Sequence, residues 1–166
     1  MHDTLIGAAL DWPRQKADFE PDGSLRDIYV QDASVEDWQA VVTRILGGNY
    51  RARLQRGGAD VPIPTVFEAV FAGELDGGDR HFMSFTVGDI VLDCHFFSPN
   101  EIEFSFAPND VTAASLRDLL ALMIDIGETT KKSVIMTPEN GPEFPIFSYD
   151  SSEHRLRWIP PHESRR

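Results

Sequence analysis

Cysteine is nearly absent from the chain, and Cys94 is the only one in 166 residues. An intrachain disulfide and a thiolate-rich metal site are both excluded. Its place within an apolar alternation reads as an inert core thiol rather than a nucleophile. Long apolar runs are missing too, so nothing in the sequence reads as a bilayer-spanning helix. The start, MHDTLIGAALDWPRQ, carries Asp3 where a secretory signal would carry basic charge. A cytoplasmic location and no membrane partner are expected. Basic charge is scarce, with 15 Lys and Arg against 27 Asp and Glu and a formal net charge of -12. That balance opposes nonspecific attachment to nucleic acid and favours encounter with a basic protein. Also missing are a serine elbow, a paired-histidine metal helix, a CxxC pair and a phosphate-cradling GxxxxGK[ST] loop. The five histidines, at 2, 81, 95, 154 and 162, show no motif spacing.

What is present is the size and apolar content of one domain, with 42% hydrophobic residues to fill a continuous core. Residues 1–24 mix polar residues with Trp12, Pro13 and Pro21 and read as peripheral, with only a helical hint around 4–11. LRDIYV at 25–30 reads as a short strand with imperfect alternation. Asp32 and Ser34 then compete as N-caps, with Asp37 three residues after Ser34, and Val35, Trp38, Val42 and Ile45 form one buried helical stripe ended by Gly47 and Gly48. Tyr50, Ala52 and Leu54 alternate as a half-buried strand, RGGADVPIP reads as a loop, and Thr65 as the cap of a short helix closed by LDGGD. Residues 81–106 read as a three-stranded meander, followed by a helix from Asp110 or Thr112 to about Ile126. SVIMT, PIFSY and HRLRWIP add three more strands before a frayed end at 161–166. The expected fold is one α+β domain, a largely antiparallel sheet with a central meander, packed on one face by two main helices.

The stretch GDIVLDCHFFSPNEIEFSFAP at 88–108 gathers the most chemistry. With Ser98 to Asn100 as a three-residue turn, Asp93 faces Ser105, Cys94 faces Phe104 and His95 faces Glu103. Leu92, Cys94, Phe96, Ile102, Phe104 and Phe106 then take one face, and Asp93, His95, Phe97, Glu101, Glu103 and Ser105 the other. A Gly88–Asp89 turn adds Phe82 to the polar face, where Phe82 and Phe97 interrupt it beside His95. Imidazole and carboxylates coordinate zinc, iron or manganese, but on a flat sheet face they converge only beneath a closing loop. A cross-strand pair of His95 with Glu103 is the cheaper reading. No cofactor and no metal are therefore expected. Residues 89–129 hold eight carboxylates against the single cation Arg117, which places the acidic field on the hairpin and the helix after it.

TPENGPEFP at 137–145 is the most distinctive loop, since three prolines restrict it and Gly141 permits a turn. It displays Glu139, Asn140 and Glu143 as contact residues. LRDIYVQDASVEDWQAVV, VLDCHFFSPNEIEFSF and VIMTPEN together resemble a small bacterial cytosolic family, over roughly residues 25 to 140. In size, acidity and α+β pattern the chain also resembles immunity proteins, which bind a bacterial toxin and cover its active site or lock its conformation. The acidic balance and the missing catalytic motifs point to a noncatalytic protein-binding domain with a basic protein partner, and the resemblance implies one of the immunity type. The binding candidates are Phe82, Asp93, His95, Phe97, Glu101, Glu103, Glu139, Asn140 and Glu143. The alternative is a small hydrolase or metal-dependent enzyme built on His95 and the nearby carboxylates.

Overall fold

Strand β1 (Arg26–Val30) is buried at all five positions, which explains why its sequence does not alternate cleanly. It lies between β6 (Ile102–Phe106) and β7 (Val134–Pro138), antiparallel to both. The computed structural model describes residues 2–71 and 79–161. Around β1 run β2 (Arg53–Arg56), β3 (Ala59–Asp60), β4 (His81–Val87), β5 (Ile90–Cys94), β8 (Phe147–Asp150) and β9 (Arg155–Trp158). The sheet order is β3-β2-β4-β5-β6-β1-β7-β8-β9. β1 thus joins the meander of the first half to the three strands of the second.

Register sorts the two faces of the sheet. Ile28 pairs with Phe104 and Met136, and Met83 with Cys94, so these apolar residues share one face. Asp27 pairs with Ser105 and Thr137, and Ser105 in turn with Asp93, which puts a polar row on the other. Helices α3 (Val35–Gly47) and α4 (Ala113–Thr130) cover the apolar face as expected, with Trp38, Val42 and Ile45 from α3 and Leu116, Leu120 and Met123 from α4 all buried. Each such side chain contributes about 1.5–3 kcal/mol through burial. Ser34 and Asp37 form the anticipated capping box, and Thr112 with Ser115 forms a second at α4.

The amino-terminal segment folds as α1 (His2–Ala9), α2 (Trp12–Gln15) and a 3-10 turn at Lys16–Phe19. Ile6 and Phe19 join the core. The buried Arg26 guanidinium ties this segment down by donating to the Asp18 and Glu20 carbonyls at 2.8 and 3.2 Å. Those carbonyls lie where no ladder reaches them, and the arginine fork satisfies both.

Several sequence-based boundaries are corrected. The strand expected from Tyr50 begins at Arg53, because Arg51 sits at φ 48° and breaks the extended run. RGGADVPIP is not only a loop. Gly57 and Gly58, both at positive φ, turn the chain so that Gln55 and Arg56 pair with Asp60 and Ala59. The short helix is a 3-10 turn at Phe67–Phe71 that leaves Val66 exposed. α4 runs four residues past Ile126, to Thr130. Most of LDGGD and the tail from 162 lie outside the described residues.

Candidate functional site

The sheet face away from α3 and α4 carries a polar network centred on Asp27, a residue 1% exposed and second in the interior strand β1. A buried carboxylate needs donors, and three converge on this one. Tyr29 Oη donates to Oδ2 at 2.9 Å, Ser105 Oγ to Oδ1 at 2.8 Å, and the Asn140 backbone N–H to Oδ2 at 2.7 Å. The first two come from strand alternation and register. The third comes from the 138–144 loop, which two successive turns fold back over the end of β1, with Gly141 N donating to Pro138 O and Phe144 N to Gly141 O. Glu139 helps hold it by accepting the Leu25 N–H at 3.2 Å.

Glu103 stands opposite Tyr29 in the register, and its Oε1 lies 3.4 Å from the same hydroxyl. One phenol therefore sits between two carboxylates. Burial, followed by its hydrogen bond to Asp27, pushes the Tyr29 phenol well above its ordinary value, so it remains a donor at any physiological pH. Burial, then repulsion from Asp27 and Glu101, raises the Glu103 carboxyl above its ordinary 4.5. The His95–Glu103 ion pair expected from sequence is not formed, because Glu103 turns to Tyr29 and His95 leaves the ladder.

That departure is a bulge. Asp93 pairs with Ser105 as expected, but the next bridge is Ser98 with Glu101, which leaves four residues, 94–97, opposite three, 102–104. The three-residue turn at 98–100 is thereby corrected to a two-residue turn at Pro99 and Asn100. Phe96 takes the strain at φ 54°. For a side chain this conformation costs about 1–2 kcal/mol. Burial of the ring at 5.2 Å from Trp38 returns about 1.5–3 kcal/mol, so the bulge holds. Trp38 Nε1 also donates to Ser98 O at 2.9 Å and fixes the far side of the loop.

The bulge aims His95 and Phe97 outward as an aromatic patch. The His95 ring lies 5.0 Å from Phe82 and 5.3 Å from Phe97, nearly parallel to the latter. Phe97 is 63% exposed and Val91, on the same face, 57%. Phe82, Asp93, His95, Phe97, Glu101 and Glu103 are thus brought onto one surface, with Glu139 and Asn140 at its border beside Asp27. Glu143 is exposed farther along the loop. Cys94 faces the core, where burial pushes its thiol far up. Among the described residues, no group of three or more His, Cys, Asp and Glu side chains could hold a metal ion. No helix among them is long and apolar enough to cross a membrane.

The acidic field is corrected as well. Asp93, Glu101 and Glu103 lie on the open face, whereas Asp118, Asp125 and Glu128 belong to α4 on the opposite side of the sheet. Asp125 is moreover engaged by Arg44 and Tyr50. Sequence reasoning missed Asp27 and Tyr29, the centre of the network. The available signal was a carboxylate directly before the apolar run Ile28, Tyr29 and Val30 of a strand, which demands partners wherever that strand is buried on both faces.

A pH test follows from Glu103. Because its folded value is raised, its favourable contribution is complete below 4.5 and is lost as pH rises through the folded value. Glu103→Gln removes that loss while keeping an oxygen for Tyr29. Urea unfolding should show the variant more stable than the parent at pH 7, by up to about 1 kcal/mol, with the advantage vanishing near pH 4. A parent at least as stable at pH 7 would contradict the repulsion.

No known protein family, no curated protein sequence and no solved structure matches this chain.

Proposed function

We propose that this is a noncatalytic protein-binding domain, of the immunity type, whose open sheet face takes a basic protein partner. The observation that carries the reading is Glu103, a carboxylate crowded by Asp27 and Glu101 beside an exposed aromatic patch. A lysine or arginine from a partner relieves that repulsion on docking, and Phe97 and Val91 supply apolar contact next to it. His95 in this reading is a packing surface rather than a base, since its ring packs on Phe82 and Phe97 and donates to no orienting carboxylate among the described residues.

Capture of the partner from native cells, followed by binding kinetics with two variants, tests the assignment. Glu101→Lys should slow association about tenfold at low salt and much less at high salt, because steering is screened. Phe97→Ala should instead speed dissociation about tenfold or more, as loss of a central apolar contact does. Both side chains are at the surface, so folding is preserved. Unchanged rates for both variants remove this face from the interface.

A further inference from the structure

A concave feature lies on the helix side of the sheet, away from the open face. A cavity of about 580 Å³ opens between α1, the last turn of α4 and the β8–β9 turn, lined by His2, Thr4 and Leu5 on one side and Glu128, Tyr149 and His154 on the other, with Leu5 and the Tyr149 ring as its apolar wall. Its polar end is built by packing. Gly127 stands inside α4, where glycine is normally disfavoured, but a Cβ there would lie 2.5 Å from a Tyr149 ring carbon. The missing side chain is what lets Tyr149 lie buried against the helix. From that position Tyr149 Oη donates to Glu128 Oε1.

The same carboxylate oxygen lies 3.1 Å from His154 Nδ1, and Lys131 Nζ lies 3.2 Å from the other oxygen. The Tyr149 hydrogen bond, foremost among these contacts, holds the Glu128 carboxyl below the usual carboxylate range. An ionised carboxylate at Nδ1 fixes the neutral imidazole as the tautomer with its proton there. In that tautomer the opposite nitrogen, Nε2, is an acceptor. His154 is held by a backbone at φ 49°, in the left-handed region where histidine is enriched among residues other than glycine.

We infer that this cavity binds a small phenol-type molecule, its ring against the apolar wall and its hydroxyl donating to His154 Nε2. The volume suits a one-ring or two-ring ligand, and apolar walls with one convergent polar end are the usual construction of such sites. Glu128 disfavours a carboxylate or phosphate ligand by repulsion. A neutral hydroxyl donor extends the chain from Glu128 through His154 and leaves no acceptor unpaired.

Phenol itself is the probe, with anisole, which keeps the ring and the oxygen but cannot donate, as its control. Backbone amide shifts in the full chain should titrate with phenol around the cavity to a Kd of about 1 mM, within reach of so small a ligand. Anisole should bind about tenfold more weakly, the ratio that one hydrogen bond supplies. His154→Gly, tolerated by the left-handed backbone at an exposed position, should weaken both ligands by the wall it removes but phenol about tenfold more than anisole, so that the preference for phenol is lost. Leu5→Trp should abolish both by filling the space. Equal affinities for phenol and anisole, an unaltered phenol affinity in His154→Gly, or no saturable binding near Glu128 and His154 each overturn the assignment.

Discussion

Replacing Trp38 by alanine should lower the unfolding free energy by about 3–5 kcal/mol, against a total of about 5–15 kcal/mol for a domain. The indole is 1% exposed and touches Phe71, Phe96 and Phe104 at centroid distances of 5.6, 5.2 and 6.5 Å. Those neighbours come from three separate parts of the chain, so none can move into the vacated space without disturbing its own element. The loss has a second part. Without the Nε1 donor, Ser98 O loses its partner, and without the ring, Phe96 loses the burial that offsets its positive φ. Trp38→Phe separates the two, keeping most of the packing and losing the hydrogen bond, and should cost about 1–2 kcal/mol. Urea unfolding measures both. A loss below about 1 kcal/mol in Trp38→Ala would contradict the central position given to this residue.

The same residues show what the sequence makes legible. The stripe of Trp38, Val42 and Ile45 and the alternation of Leu92, Cys94, Phe104 and Phe106 each follow one period, and a period depends only on the local chain. The helices, the meander and its apolar face are readable for that reason. β1 hides its role because a central strand needs apolar residues on the helix side and satisfied polar ones on the other, so Asp27 and Tyr29 blur the pattern instead of marking a surface. The partners of Asp27 sit 78 and 113 positions away, at Ser105 and Asn140, and Tyr29 meets Glu103 74 positions away. No local signal spans that separation.

The bulge illustrates a different limit. Alternation placed Asp93, His95 and Phe97 outward and Phe96 inward, and the burial pattern follows it. Pairing beyond Cys94 nonetheless changes by one residue, because the choice between register and bulge is made by Trp38 contacts that the hairpin itself does not contain. Outward direction was therefore legible for His95, and its neighbours were not. The pair with Glu103 failed on this point, and the stack with Phe82 and Phe97 took its place.

Asp27→Ala should be the second costly change, lowering stability by about 3 kcal/mol at pH 7. Two opposing effects decide the sign. Three hydrogen bonds to an ionised group are lost, each worth about 1.5–3 kcal/mol when made to a buried charge, though not additively. Against them stands the relief of Glu103, freed from the carboxylate that repels it most, worth at most about 1 kcal/mol at this partly exposed site. The hydrogen bonds win. The relief is visible separately, because Glu103 should move back toward its ordinary value and stability should fall less as pH rises above 4.5. The loop from 138 to 144 loses its inner anchor in the same variant, so the Asn140 amide should exchange with solvent faster than in the parent by more than the global destabilisation accounts for. Asp27→Asn preserves shape, keeps its amide oxygen for Tyr29 and Asn140 and turns its amide donor toward Ser105 Oγ, which can accept, and should fall between parent and alanine. Unfolding at pH 7 and pH 5 with amide exchange at Asn140 tests the whole arrangement. A loss below about 1 kcal/mol with unaltered exchange would mean that Asp27 does not hold the loop to the sheet, and with it the border of the proposed binding face.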